Sequence, residues 1–142
     1  MKEKDIFDVC AIEEVSFSTP WHFMTFLGEI QNESVSFPFV VIHREEERIA
    51  GYVIYWRIQK EIQISNIAVH PDFRRQGLAK AVLQEILKMV EREEARFVSL
   101  EVRPSNKAAC SLYTKLGFHV IGLRKKYYRN PAEDALIMGK KL

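Results

Sequence analysis

The segment from Glu61 to Pro104 constrains the fold more than any other. EIQISNIAVH reads as a strand, PDFRRQG as a basic loop with one glycine, LAKAVLQEILKMV as a helix, and RFVSLEVRP as a second, mostly apolar strand. Leu78, Val82, Ile86 and Val90 fall on one ridge of that helix, with Leu83 and Leu87 beside it and polar residues opposite, the stripe of a helix that packs on a sheet. A strand, a crossover helix and a strand imply a parallel pair with a right-handed connection. The helix runs out in the charged stretch Glu91 to Glu94.

The flanking sequence supplies the rest of one layered domain. Ile6, Val9, Cys10, Ile12 and Val15 recur at helical spacing between Asp5 and Phe17, and Thr19-Pro20 offers a cap and first-turn proline for a second helix. FPFVVIHREEERIAGYVIYWRIQKEIQISNIAVHP reads as strand, charged turn at Arg44 to Arg48, strand, tight turn at Lys60-Glu61, and strand, an antiparallel meander. Downstream, Ser105 or Asn106 caps a helix through Leu116 that Gly117 terminates, and two strands follow, roughly Phe118 to Tyr127 and Ala135 to Lys141. With 142 residues, 47% of them hydrophobic, the expectation is a single α/β (α+β) domain over 1–142 with a mixed, mostly antiparallel sheet and about four helices.

Composition removes several function classes. A formal charge of +2 is no nucleic-acid footprint, so no direct nucleic-acid binding is expected. No apolar run approaches about 18 residues and no leader pattern is present, which gives the expectation of a cytoplasmic protein without membrane contact. Cys10 and Cys110 match no CxxC or metal spacing and read as free thiols, and His22, His43, His70 and His119 show no ligand spacing, so no metal is expected.

The loop before the helix at Leu78 places Arg74, Arg75 and Lys80 beside free backbone N–H groups, where acidic or hydroxyl caps usually sit. Such a helix start suits an anion. Glycines at Gly28, Gly51, Gly77, Gly117, Gly122 and Gly139 never form GxGxxG, and Gly117 and Gly122 are followed by Leu123-Arg124 rather than Lys-Ser or Lys-Thr. Dinucleotide and P-loop chemistry are thereby disfavoured.

Arg74-Arg75-Gln76-Gly77-Leu78-Ala79 resembles the R/Q-x-x-G-x-G/A signature of the GNAT N-acetyltransferases. Four stretches in order, FSTPW, SNIAVHPDFRRQGLAKAVL, LEVRPSNKAACSLYTKLGF and KKYYRNPAEDALIM, are similar to the bacterial ribosomal-protein-alanine N-acetyltransferases. That resemblance implies a sheet whose parallel pair splays apart, acetyl-CoA as cosubstrate, and the N-terminal alanine of a small-subunit ribosomal protein as acceptor. It implies Glu101 as proton acceptor and Tyr113 as proton donor. It assigns Ile67, Ala68 and Val69 to the pantetheine arm, Arg75, Gln76, Gly77, Leu78, Ala79 and Lys80 to the phosphates, and Asn106 to a further cofactor contact. Trp21, Tyr128, Glu133 and Asp134 stand where a peptide groove would be. Only four residues precede the first helix, so the first strand of the family pattern is expected to be shortened or absent.

Elementary chemistry tests these assignments. A Glu of ordinary pKa, about 4.3, is a poor base for an α-ammonium near 8, so burial or a relaying water is expected at Glu101, with Arg103 or another base as its structural partner. Tyr113 shares a helical stripe with Ala109, Leu112 and Leu116, where a tyrosine also serves as core. A phenol near 10 is a weaker acid than a thiol near 8.5, which favours hydrogen bonding to the leaving sulfur over full proton transfer. A lysine acceptor costs roughly 4 to 5 kcal/mol to deprotonate at neutral pH, so a modest base suits an N-terminus better.

Overall fold

The computed structural model describes residues 1–142. A 3-10 turn at Glu3–Asp5 leads into α1 (Ile6–Ser16) and α2 (Phe23–Gln31). The meander follows as β1 (Ser36–His43), β2 (Arg48–Ile58) and β3 (Glu61–Val69). Next come α3 (Leu78–Arg92), β4 (Phe97–Val102), α4 (Lys107–Lys115), β5 (His119–Tyr128) and β6 (Glu133–Lys141). The six strands form one sheet in the order β1-β2-β3-β4-β6-β5, antiparallel except for β3 beside β4. Four α-helices and a parallel pair joined through α3 match the architecture expected from the sequence. The outer strand beyond β2 is β1, whose Pro38 carbonyl accepts a 2.8 Å hydrogen bond from the Met1 amino group.

Each face of the sheet carries its own core. Val53, Tyr55, Ile62 and Ile64 join Leu83, Ile86, Leu87 and Val90 of α3 and Tyr113 of α4 on one face. Ile49, Tyr52, Ile54 and Ala68 join Ile6, Val9, Ile12 and Phe26 of α1 and α2 on the other. β2 is buried from Ile49 to Tyr55 because both faces are covered. Burying apolar area on two faces at about 25 cal/mol per Å² is the main force holding these layers together.

Two boundaries differ from the sequence expectation. α2 begins at Phe23 with an extended His22 as N-cap (φ −98°, ψ 167°), three residues after Pro20. The Trp21 N–H is taken by the Glu13 carboxylate at 3.0 Å, which keeps this stretch out of the helix. The β2–β3 turn lies at Gln59-Lys60 rather than Lys60-Glu61, with Gln59 in the left-handed region (φ 58°).

The feature that shapes the site is a parting of β3 from β4. Their pairing runs from Glu61–Phe97 to Ile64–Leu100 and stops. Beyond it, a bulge at Ser65 shifts the β2–β3 register so that Asn66 faces Ile54 and Val69 faces Gly51. β4 meanwhile continues on β6, with Glu101 opposite Ile137 and Val102 opposite Leu136. A bulge bends its strand, so β3 leans away with β2 while β4 stays with β6. The other end is pinned: Arg57 Nη1 reaches Glu93 at 2.5 Å, its Nη2 reaches the Glu93 carbonyl at 2.7 Å, and Arg96 N bonds Lys60 O at 2.8 Å.

Gly51 allows β2 to approach β3 beside the parting. A Cβ there would stand 2.7 Å from the Ala68 carbonyl oxygen, a backbone atom that yields only if the strand moves. Gly51→Ala is therefore expected to cost roughly 1 to 3 kcal/mol, seen as a lower urea midpoint at unchanged slope. An unaltered midpoint would mean that the strands tolerate the methyl.

Candidate active site

A cleft of about 880 Å³ passes through the parting and is bounded by β3, β4, α4 and the α1–α2 loop. Strand periodicity decides which side chains enter it from which face. On β4, Val98, Leu100 and Val102 face α3 and α4, so the intervening Glu101 faces the α1 side. Tyr113 projects from α4, on the opposite face. Both line the cleft, so a carboxylate and a phenol flank one gap from the two faces of the sheet.

Glu101 is 12% exposed and pairs with Arg124 of β5, Nε to Oε1 at 2.9 Å. Its partner is not Arg103, which instead reaches the Pro131 carbonyl at 2.9 Å, Glu133 at 3.7 Å and the ring of Tyr128 at 4.2 Å. The Glu101 carboxylate, ahead of burial, raises the Tyr127 pKa. Glu101 is thus held by a guanidinium, with the Tyr127 phenol also lining the cleft.

Tyr113 is 7% exposed. Burial, with a smaller contribution from Cys110, pushes its phenol up to about 12. It belongs to the core as well as to the cleft, and its ring packs near Phe118 at 6.0 Å. Tyr128 is likewise pushed up to about 12, chiefly by burial.

The residues expected to hold the cofactor divide into two groups. Ile67, Ala68 and Val69 line the cleft on the part of β3 that has left β4, and Ala79 and Asn106 line it too. The β3 main chain has no parallel neighbour there, and the Val69 carbonyl is taken instead by Arg74 Nε at 2.9 Å. Arg75, Gln76, Gly77, Leu78 and Lys80 lie outside the cleft lining, on the loop and first turn of α3. Gly77 is the N-cap in the left-handed conformation (φ 77°), and no side chain caps the helix. The N–H groups of Leu78, Ala79 and Lys80 precede the first intrahelical bond, made by Ala81 N to Gly77 O at 3.0 Å. Uncapped amides beside Arg75 and Lys80 fit a pyrophosphate. Asn106 is the N-cap of α4, its side chain accepting from Ala109 N at 3.2 Å while it faces the cleft.

Trp21 and Tyr128 line the cleft, and Glu133 and Asp134 do not. Glu133 clamps Ser105 through its N–H at 2.9 Å and hydroxyl at 2.7 Å, and Asp134 accepts from Lys126 N at 2.7 Å. These acids serve local structure: their hydrogen-bond donors are backbone and hydroxyl groups nearby, with the Arg103 guanidinium beside Glu133. Sequence reasoning missed Tyr127, Arg124, Trp56, Glu13 and Asn66. Only the YY pair beside Tyr128 gave a local signal; the others meet the site through strand pairing and helix packing.

The acetyltransferase (GNAT) family model matches residues 5–118. A protein of Bacillus subtilis (strain 168) is 37% identical over 138 residues, covering 97% of this chain and 90% of its own. The ribosomal protein bS18-alanine N-acetyltransferase of Escherichia coli (strain K12) is 34% identical over 129 residues, covering 89% of this chain and 84% of its own. The crystal structure of the ribosomal-protein-S18-alanine N-acetyltransferase from Escherichia coli superposes with a TM-score of 0.90 at 31% identity, covering 99% of this chain and 90% of that one. A family model spanning most of the chain, together with these relatives along almost all of it, makes the protein a member of the acetyltransferase (GNAT) family, acetyl-CoA-dependent N-acetyltransferases.

Proposed function

We propose that this enzyme transfers the acetyl group of acetyl-CoA to the N-terminal α-amine of a protein, the alanine of a small-subunit ribosomal protein foremost. The observation that carries the mechanism is the placement of Glu101 and Tyr113 on opposite faces of one gap. The acceptor assignment is supported by the relatives named for ribosomal protein alanine acetylation.

In this reading acetyl-CoA lies along Ile67–Val69, with its phosphates on the Gly77–Lys80 amides and the Arg75 and Lys80 side chains. Asn106 supports the arm from the α4 side. The acceptor amine enters from the α1 face, past Trp21 and Tyr128. Glu101 takes a proton from the α-ammonium, directly or through one water. The neutral nitrogen attacks the thioester carbonyl, and a β3 amide stabilises the oxyanion that forms. Collapse breaks the carbon–sulfur bond, and the acylated nitrogen sheds its second proton to solvent water, leaving a neutral N-acetyl amide and a thiolate.

Tyr113 is suited to hydrogen-bond that sulfur. With its phenol at about 12, full proton transfer to a thiolate whose conjugate acid is near 8.5 is uphill by about 5 kcal/mol. A donor that keeps its proton can stabilise the developing charge without being consumed. The sign for pH follows: the neutral phenol is the competent form, and it persists below about 12. At saturating substrates, turnover is expected to hold through about pH 10, where an ordinary tyrosine is half ionised. A steep fall in kcat between pH 9 and 10 that Tyr113→Phe abolishes would contradict this.

Tyr113→Phe is expected to lower kcat about a hundredfold or more with little change in acetyl-CoA affinity; unchanged turnover removes the phenol from the mechanism. Glu101→Gln is expected to lower kcat/KM for the acceptor by about a hundredfold or more while the protein still binds acetyl-CoA. The acceptor class is tested by mass spectrometry of a reaction with two peptides, one with a free N-terminal alanine and one N-blocked with internal lysines. Acetylation of the first alone is expected. Acetylation of the blocked peptide alone would overturn the N-terminal assignment.

A further inference from the structure

Glu13 is the one acidic side chain the mechanism leaves unused and the fold nevertheless buries, at 1% exposure. No lysine or arginine pairs with it. Its carboxylate instead accepts from three neutral donors on three separate elements. These are Trp21 N of the α1–α2 loop at 3.0 Å, the Tyr52 hydroxyl of β2, and Asn66 Nδ2 of β3 at 3.1 Å. Asn66 also donates to the Tyr52 oxygen at 3.1 Å. The contact drives the Tyr52 phenol well above its ordinary range, with burial the larger cause.

A buried charge held only by neutral dipoles gains little over a well-packed apolar residue as a stabiliser. What it does secure is position, because every donor is directional. Glu13, Trp21 and Asn66 all border the cleft. Asn66 stands immediately before Ile67–Val69. The far end of that segment is also tied to α1: Arg74 Nε bonds the Val69 carbonyl at 2.9 Å, and Arg74 Nη2 bonds Ser16 Oγ at 3.0 Å. The α1–α2 loop is therefore fastened to β3 on both sides of the segment, through Ser16 at its start and Trp21 near its end. Trp21 itself packs on Phe26 at 5.5 Å, and Phe26 meets Tyr52 edge-on at 5.7 Å.

We propose that Glu13 is a positioning residue for the acceptor: its carboxylate locks the Ser16–Trp21 wall to Asn66, fixing the acceptor side of the cleft relative to the β3 amides. This rests on the acceptor entering from the α1 face, as in the proposed function. A positioning role and an electrostatic role, in which the buried charge attracts the ammonium, separate on substitution. Glu13→Gln keeps reach and loses charge; its oxygen can stay on Trp21 N while its Nε2 donates to the Tyr52 hydroxyl, whose own proton goes to an Asn66 amide turned to accept. Glu13→Asp keeps charge and loses reach. Glu13→Ala loses both.

Steady-state kinetics with a peptide bearing a free N-terminal alanine, alongside acetyl-CoA titration, reads the difference. Positioning predicts acceptor KM raised about tenfold in Glu13→Ala and Glu13→Asp, the size of one or two lost buried hydrogen bonds, with Glu13→Gln close to the parent and acetyl-CoA affinity preserved in all three. Rescue by Asp and not by Gln would replace positioning with a charge effect. Equal losses of acceptor and acetyl-CoA binding would reduce Glu13 to a structural residue, and an unchanged acceptor KM in Glu13→Ala would also overturn the proposal. A second readout does not depend on turnover. In a Trp56→Phe background, acrylamide quenching of Trp21 should increase in the Ala and Asp variants and not in Gln; no increase overturns the locking. Failure of the parent enzyme to acetylate the peptide would sink the functional reading, and the quenching arm would still decide the arrangement at Glu13.

Discussion

β3 and β4 share four parallel rungs, from Glu61–Phe97 to Ile64–Leu100, and then each follows its other neighbour. Three things depend on that parting. It unpairs the Ile67–Val69 stretch of β3 from β4, it opens a channel through a sheet that would otherwise be closed, and it lets groups from opposite faces line one cleft. Glu101 arrives by strand alternation and Tyr113 by helix packing, and neither would reach the other through an intact sheet. The Ser65 bulge starts the divergence, and the close contact at Gly51 keeps β3 with β2 as it turns away.

The cleft holds two carboxylates on its α1 side that are kept in different ways. Glu101 is paired with Arg124, a side chain more than half exposed that can exchange its partner for an incoming cation. Glu13 is sealed among neutral donors with no cation at hand. Exposed ion pairs are weak and readily remade, whereas buried directional networks are costly to rearrange. The contrast suits the two proposed duties, one carboxylate that handles protons and one that holds a wall in place.

Legibility in the sequence tracked the range of the interactions. The α3 stripe, a cap at Ser105 or Asn106, the Gly77 start and the parallel crossover are local, and residue spacing predicted them, the structure placing the cap at Asn106. Glu101 and Tyr113 were found through motif resemblance, and the structure brings both to the cleft. The start of α2 was misplaced because Pro20 carries a local signal, while the competing hydrogen bond from Trp21 N goes to a residue eight positions earlier. Arg124 as the partner of Glu101 depends on β5 lying beyond β6, and the Glu13 network spans 53 residues to Asn66. The acidic pair Glu133 and Asp134 looked like groove residues by position, yet nearby donors claim both.

The pinned end of the parted strands separates stability from chemistry along one helix. α3 has 15 residues, so its uncapped start at Gly77 and its end beside the Arg57–Glu93 clasp stand about 22 Å apart. The clasp sets the angle of a wedge whose open mouth lies a full helix length away. A change of a few degrees at that narrow end becomes a change of ångströms at the mouth. Substitutions at Arg57 and Glu93 therefore bear on the width of a site that neither residue lines.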